Sequence, residues 1–255
     1  MLMSDSFASE ADMYSPAAAR ADILTSTYDD TINHFFQVKA TVGIPDLVFA
    51  LFDEAQIEYR SDRALAPITD AADVAAMTFL ADRHTETALT RDVAIGVGMS
   101  AGYLSSEVLP RLTAGGHVVK VSRGKWQATH AFRSTVRRLV TVEAKVAAWR
   151  RALWQAQRHA AGADRAWVVI DDSAIKPVLA NLAYFERMCI GVASLHTSGS
   201  LTVHQPAPAR AIRRVARTVL AERVTHLYLR GESEWGWSSM FGSTESGVKA
   251  SAASS

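Results

Sequence analysis

The chain has 255 residues, of which 49% are hydrophobic and 21% charged, and its formal net charge is +1. This fits a soluble globular protein with one large domain or two small ones, and excludes nucleic-acid affinity that rests on global charge. Its single cysteine, Cys189, excludes a disulfide framework or a zinc-ligand spacing, so a reducing, cytoplasmic setting is expected. No apolar run approaches the roughly 20 residues that span a bilayer. Asp5, Glu10 and Asp12 stand where a signal peptide would carry a basic then an apolar region, so none is expected.

Residues 1 to about 15 are small, polar and acidic and read as frayed. A helix is expected from Ser15-Pro16 to Leu24, with proline in its first turn. Gln37 to Val42 and Ile44 to Phe52 read as strands, the second apolar enough to be buried on both faces. Residues 53–66 read as a polar crossing segment. Thr69 to Arg83 has helical periodicity. Thr90 to Ser100 reads as a short helix and a glycine turn, and Ser100 is placed to cap a helix over Ala101 to Ala114 that contains Pro110. His117 to Thr129 reads as a hairpin with a basic tip at Ser122 to Lys125.

From Val136 the pattern becomes strand (with Glu143), helix (Trp149 to Ala161), strand (Arg165 to Ile170, ending at Asp171-Asp172) and helix (Val178 to Met188). A strand pair across Ser198-Gly199 follows. Pro206 to Val224 reads as a basic helix with Arg210, Arg213, Arg214, Arg217 and Arg223, whose charged face is commonly a solvated one and otherwise a phosphate-binding one. Ser243 to Ser255 reads as disordered.

Two motifs carry the chemistry. Asp46 opens an apolar strand after Pro45, and Glu143-Ala144-Lys145 lies inside another. Alternation along a strand puts Thr141, Glu143 and Lys145 on one face, so a carboxylate and an ammonium point at one target. Alone, an Asp at a strand start is commonly a turn or cap, and a Glu-x-Lys is commonly a solvated pair. A charged pair in so apolar a strand needs a reason. Asp46, Glu143 and the Ala144 carbonyl offer the oxygen set that Mg²⁺ (or Mn²⁺) takes, and Lys145 would orient a water or stabilise charge at phosphorus.

Pro45-Asp46 with Glu143-Ala144-Lys145 resembles the PD-(D/E)XK nuclease superfamily, as does the order helix, strand, Asp-bearing strand, Glu-x-Lys strand, helix, strand. Gln155-Ala156 and Ala163-Asp164 before the next strand are similar to the corresponding stretch of restriction-like members. The resemblance covers roughly residues 15–60 and 133–205. It implies an α/β fold of restriction-endonuclease type with a mixed sheet flanked by helices. It also implies metal-dependent phosphodiester hydrolysis by Asp46, Glu143 and Lys145, with Gln155 facing the site. An acidic ligand from the first helix, present in some members, is left open among Asp22, Asp29 and Asp30. The chain departs from the family in one respect: residues 47–142 separate the two motifs where members usually have a short hairpin. An inserted domain with close ends is therefore required.

The expected organisation is a core of 15–66 and 133–205, a winged helix-turn-helix insertion at 67–132, a basic helix and strand at 206–240, and a tail at 241–255. In the insertion, Ser100, Tyr103, Ser105, Ser106 and Arg111 would enter the major groove, and Arg123 and Lys125 would reach phosphates. Glu107 and the low basic charge of that helix leave protein contact as the other use. The eight histidines show no metal spacing, and Trp149 and Trp154 read as packing anchors. The function expected is a DNA endonuclease or DNA-processing hydrolase. The alternative is a catalytically silent DNA-binding regulator or assembly subunit. DNA is the expected partner, a membrane is not, and the oligomeric state is left open, a homodimer included.

Overall fold

The computed structural model describes residues 6–27, 32–83 and 86–234. A six-stranded mixed sheet is flanked by helices on both faces. Its strands are β1 (Ile32–Phe36), β2 (Leu47–Phe52), β6 (Val136–Lys145), β7 (Arg165–Asp171), β8 (Gly191–Leu195) and β9 (Leu201–Gln205), and they lie side by side in that order. The β6–β7–β8 centre is parallel and every other pairing is antiparallel. Helices make the parallel crossovers: α8 (Trp149–His159) before β7, then α9 (Lys176–Leu179) and α10 (Leu182–Arg187) before β8.

One sheet face, carrying Phe49, Val140, Val142, Trp167 and Val169, is covered by α1 (Tyr14–Ala18) and α2 (Ala21–Thr25). The other face meets α8, α9 and α10 at Val168, Ile170 and Val192. It meets α11 (Arg214–Arg230) at Val48, Ala50 and Leu139. All six residues of β2 are buried, as its unbroken apolar run predicts.

Between β2 and β6 the chain forms a separate unit, preceded by α3 (Glu54–Ser61). It contains α4 (Ala71–Ala81), β3 (Ala88–Leu89), α5 (Thr90–Val97), α6 (Ala101–Tyr103), α7 (Leu109–Ala114), β4 (Val118–Ser122) and β5 (Lys125–Ala128). The three strands make a small sheet in the order β3-β5-β4. Val74, Met77, Leu80, Leu104, Leu109 and Leu112 belong to its own apolar core, which Val219 of α11 joins. A π turn over Leu104–Val108 links α6 to α7 just ahead of Pro110, so the ring is accommodated in a wider turn and the helix runs on.

Several expectations are corrected. Gln37 to Val42 is a loop, because Gln37 adopts a left-handed φ of 50° and ends β1, and Ala40 N–H turns back to the Gly43 carbonyl. Residues 53–66 contain α3, which starts because the Asp53 carboxylate accepts from Gln56 N–H. The first helix is interrupted at Ala19-Arg20, and the Val178 to Met188 helix at Ala180-Asn181.

The C-terminal helix starts at Arg214, since Pro206 and Pro208 hold the preceding segment out of it. It is not a solvated face. Arg217 grips Asp164, and Arg223 is buried against the carbonyls of Lys39, Ala40 and Thr69. The strand expected near its end is a single bridge between Glu234 and Phe36. Residues 6–15 are ordered: Asp171, buried at the end of β7, accepts from Ser6 hydroxyl and Phe7 N–H, both at 2.7 Å. Asp29, Asp30 and the tail at 241–255 lie outside the described residues.

Candidate active site

The antiparallel register explains why motifs so distant in sequence meet. Leu47 pairs with Val142 and Val48 with Thr141. One step further along the same register, Asp46 stands opposite Glu143. The inserted unit leaves the sheet after β2 and returns at β6, adjacent strands, so it leaves that pairing intact.

Asp46 is pinned from two sides. Tyr14 hydroxyl donates to Oδ1 at 2.7 Å and Ala144 N–H to Oδ2 at 2.8 Å. Glu143, 1% exposed, has Oε1 at 2.9 Å from Lys145 Nζ and Oε2 at 3.3 Å from His159 Nε2. Lys145 Nζ also lies 2.7 Å from Glu10 Oε2, 3.7 Å from Asp46 Oδ2 and 3.1 Å from the Ala144 carbonyl. Three carboxylates therefore converge on one ammonium in a mostly buried setting.

Burial, and after it the charge of Glu143, pushes the Asp46 carboxyl above its ordinary range against the pull of Lys145. Burial alone would lower the Lys145 ammonium, but the bond to Glu10 and the charges of Asp46 and Glu143 outweigh it and hold it above its usual value. Tyr14 is raised by burial and then by Asp46, so it stays a hydrogen-bond donor across the working pH range.

Glu10, Tyr14 and His159 are site residues that the sequence reading missed. Glu10 and Tyr14 are spaced i, i+4, a helical-face signal hidden by taking the segment as frayed. Gln155 and His159 have the same spacing on α8, so both turn toward the sheet. Gln155 Oε1 is buried without a hydrogen-bond partner, as is His159 Nδ1. It is His159, not Gln155, that contacts Glu143. Asp22, the one described residue among the three first-helix acids, makes no contact with Lys145; Glu10 occupies that place.

The donor set suits a divalent cation in charge and in type, but not as a ready-made cage. Three carboxylates against one ammonium leave negative charge in excess, and each carboxylate oxygen bonded once keeps a free lone pair. Among the described residues no group of three or more His, Cys, Asp or Glu side chains is arranged to hold a metal ion. Asp46 and Glu143 would have to be joined by the Ala144 carbonyl and by substrate or water oxygens, as is usual for Mg²⁺. A cavity of about 290 Å³ lies elsewhere, between α3 and α11, with apolar walls such as Ile57, Leu65 and Leu229 and no residue of the cluster.

In the inserted unit, Tyr103, Ser105, Ser106, Arg123 and Lys125 are exposed, the last two at the β4–β5 tip. Ser100 is exposed and its hydroxyl accepts from Tyr103 N–H as a helix cap. Arg111 is not free for phosphate. Asp73 holds it in a two-point fork at 2.6 and 2.9 Å, with Glu107 and Asp70 beside it.

Comparison with protein-family models, with curated proteins and with solved structures finds no match. The protein is an α/β chain with a mixed six-stranded sheet flanked by helices and a carboxylate–lysine cluster at adjoining ends of two of its strands. Among the described residues no helix is long and apolar enough to cross a membrane.

Proposed function

We propose that this chain is a divalent-cation-dependent phosphodiesterase acting on DNA, of the PD-(D/E)XK kind, whose inserted unit is a winged helix that positions the substrate. The observation that carries the reading is the convergence of Asp46, Glu143 and Glu10 on Lys145 Nζ. A structural ion pair needs one carboxylate per cation. This cluster keeps an excess, and strain of that kind collects at functional sites.

Asp46, Glu143 and the Ala144 carbonyl would hold the cation, Mg²⁺ or Mn²⁺. Bound there, it supplies Lewis-acid polarisation of the phosphate and a lowered pKa for water. Tyr14 and Ala144 N–H fix the Asp46 carboxylate, and His159 fixes Glu143, so neither ligand must reorganise. Lys145 is shared among three carboxylates and can turn its ammonium toward an attacking water or a phosphoryl oxygen. Gln155, with its buried and unpartnered carbonyl oxygen, would accept from a water. Tyr103, Ser105 and Ser106 would meet the groove, and Arg123 and Lys125 the phosphates. Arg111 is left out, since Asp73 neutralises it.

A second reading is a silent DNA-binding regulator. Its support is that Lys145 Nζ already contacts the Ala144 carbonyl and all three carboxylates, closing the cluster without a cation. One experiment separates the two: supercoiled plasmid and short duplexes are incubated with Mg²⁺ or Mn²⁺ and wild type, Asp46→Ala or Lys145→Ala. The hydrolase reading expects metal-dependent cutting by wild type alone. Salt-sensitive DNA binding with no cutting by any of the three would replace it with the regulator.

A further inference from the structure

The outer face of α8 and α10 carries two exposed aromatic rings, Trp154 and Tyr184, beside the buried Trp149, and each of the three has an arginine over it. The guanidinium carbon of Arg150 lies 4.5 Å from the Trp149 ring centroid, that of Arg158 4.5 Å from Trp154, and that of Arg187 4.8 Å from Tyr184. These rings are not all packing anchors. Trp154 is 56% exposed and Tyr184 49%. Along α8, Arg150, Trp154 and Arg158 follow at i, i+4 and i+8, a stripe that alternates base and ring. Trp149, Arg150, Leu153 and Tyr184 wall an open pocket of about 250 Å³, where the Trp149 and Tyr184 centroids are 6.4 Å apart.

Basic charge is concentrated on these helices and the adjoining α9. α8 carries Arg150, Arg151 and Arg158 and no acid, and α9 and α10 add Lys176 and Arg187 against Glu186. A chain with a net charge of only +1 has gathered a local excess here. Among the described residues none of these five basic side chains forms an ion pair. Ordinary solvated helix faces pair their charges and hide their tryptophans. This face does neither.

We propose that it binds a single-stranded stretch of nucleic acid, with bases stacked on Trp154 and Tyr184 and the backbone phosphates held by Arg150, Arg158 and Arg187. An arginine over a ring is a suitable resting state, because a base can take its place on the ring while the guanidinium swings to the adjoining phosphate. Polyanion charge matches the basic excess, and stacking needs no particular sequence. Trp149 follows Lys145 by four residues, so their Cα atoms are at most about 14 Å apart. The face therefore begins within that reach of the strand that carries Glu143 and Lys145, and a nucleic acid held on it would lie beside the carboxylate cluster. The inference names the substrate class of that site, a nucleic acid with an unpaired segment beside the scissile bond, and to that extent rests on the hydrolase reading.

Binding is tested without cleavage. Fluorescein-labelled dT20, rU20 and a 20-base-pair duplex are titrated by anisotropy in EDTA with wild type, Trp154→Ala, Trp154→Phe and Arg150→Ala/Arg158→Ala. Wild type should bind dT20 or rU20, and the two oligomers tell DNA from RNA. Trp154→Ala should bind at least about tenfold more weakly, and Trp154→Phe should keep most of the affinity. The double arginine variant should lower the slope of log K against log salt by about 1.4. No binding of either oligomer by wild type, or unchanged affinity in Trp154→Ala, would overturn the proposal. So would a wild-type dimer that Trp154→Ala splits, which would give the face to a second copy. Oligomer binding with no Mg²⁺-dependent cleavage of a duplex, of either oligomer or of a duplex carrying a dT20 tail would sink only the hydrolase reading, and cleavage without oligomer binding would sink only this one.

Discussion

Among the described residues, two of the buried groups of opposed charges are built differently. In the first, Arg60 (5% exposed) faces Glu222 (0%) between α3 and α11. Arg60 Nη1 donates to both Glu222 oxygens at 2.8 Å, Ile68 N–H adds a third bond, and Arg60 Nη2 reaches the Arg133 carbonyl. One cation meets one anion, and both carboxylate oxygens are bonded, Oε2 twice. In the second, Lys145 faces Glu10, Asp46 and Glu143, and buried polar atoms of Gln155 and His159 have no partner. A buried pair in balance holds elements together, here the route into the inserted unit and the last helix. A buried cluster out of balance costs stability, the pattern expected where side chains are held for chemistry.

The largest expected effect sharpens the first half of that comparison. Glu222→Gln leaves Arg60 buried and unpaired and should cost about 3–5 kcal/mol in urea unfolding. Arg60→Met/Glu222→Leu should recover much of that loss. If Glu222→Gln unfolds at the wild-type midpoint, the pair is not structural.

The second half predicts the opposite pattern. Asp46→Asn should lower the cleavage rate about 1,000-fold, equivalent to ~4 kcal/mol of lost transition-state stabilisation. Its melting temperature should stay level or rise, because a carboxyl pushed above its ordinary pKa is held ionised at a cost near neutral pH. A lower melting temperature with cleavage intact would make Asp46 a structural residue.

Next to the balanced pair, His117 donates from Nε2 to the Ala66 carbonyl, and its buried Nδ1 has no partner. Burial, and to a lesser degree the charges of Arg60 and His130, pushes it down to about 4 from 6.5. The unfolded chain therefore binds a proton that the folded chain refuses between those values. The contribution of His117 to stability is constant above pH 6.5, falls by at most about 3 kcal/mol as the pH drops toward 4, and levels off below. His117→Gln should flatten that part of the stability–pH curve, and an unchanged curve would place the sensitivity elsewhere.

The smallest effect tests how Asp46 is held. Tyr14→Phe removes one donor, worth about 1 kcal/mol. Since that bond lowers the Asp46 pKa, its loss should move the acid limb of the cleavage profile to higher pH. An acid limb that does not move would show that Tyr14 merely packs there.

The sequence was most informative where one signal dominated. The apolar run of β2, the alternation through Glu143 and Lys145 and the glycine-tipped β4–β5 hairpin are local patterns, and the structure bears them out as strands. The pairing of Asp46 with Glu143 needed only that the inserted unit's ends be close, which adjacent strands supply. Other features depended on distant partners. Residues 6–15 look frayed until Asp171 anchors them, so Glu10 and Tyr14 were missed. The C-terminal arginines look solvated until Asp164 and the carbonyls of residues 39, 40 and 69 come to meet them. Arg111 looks free until Asp73 closes on it. Charged side chains advertise their sign in a sequence, not their partners.

The measurement that bears most directly on the unbalanced cluster is calorimetric titration of Mn²⁺ into wild type, Glu143→Gln and Glu222→Gln. The account predicts uptake by wild type, loss of that uptake in Glu143→Gln, and its retention in the folded fraction of Glu222→Gln. No uptake by wild type, or equal uptake by Glu143→Gln, would contradict it.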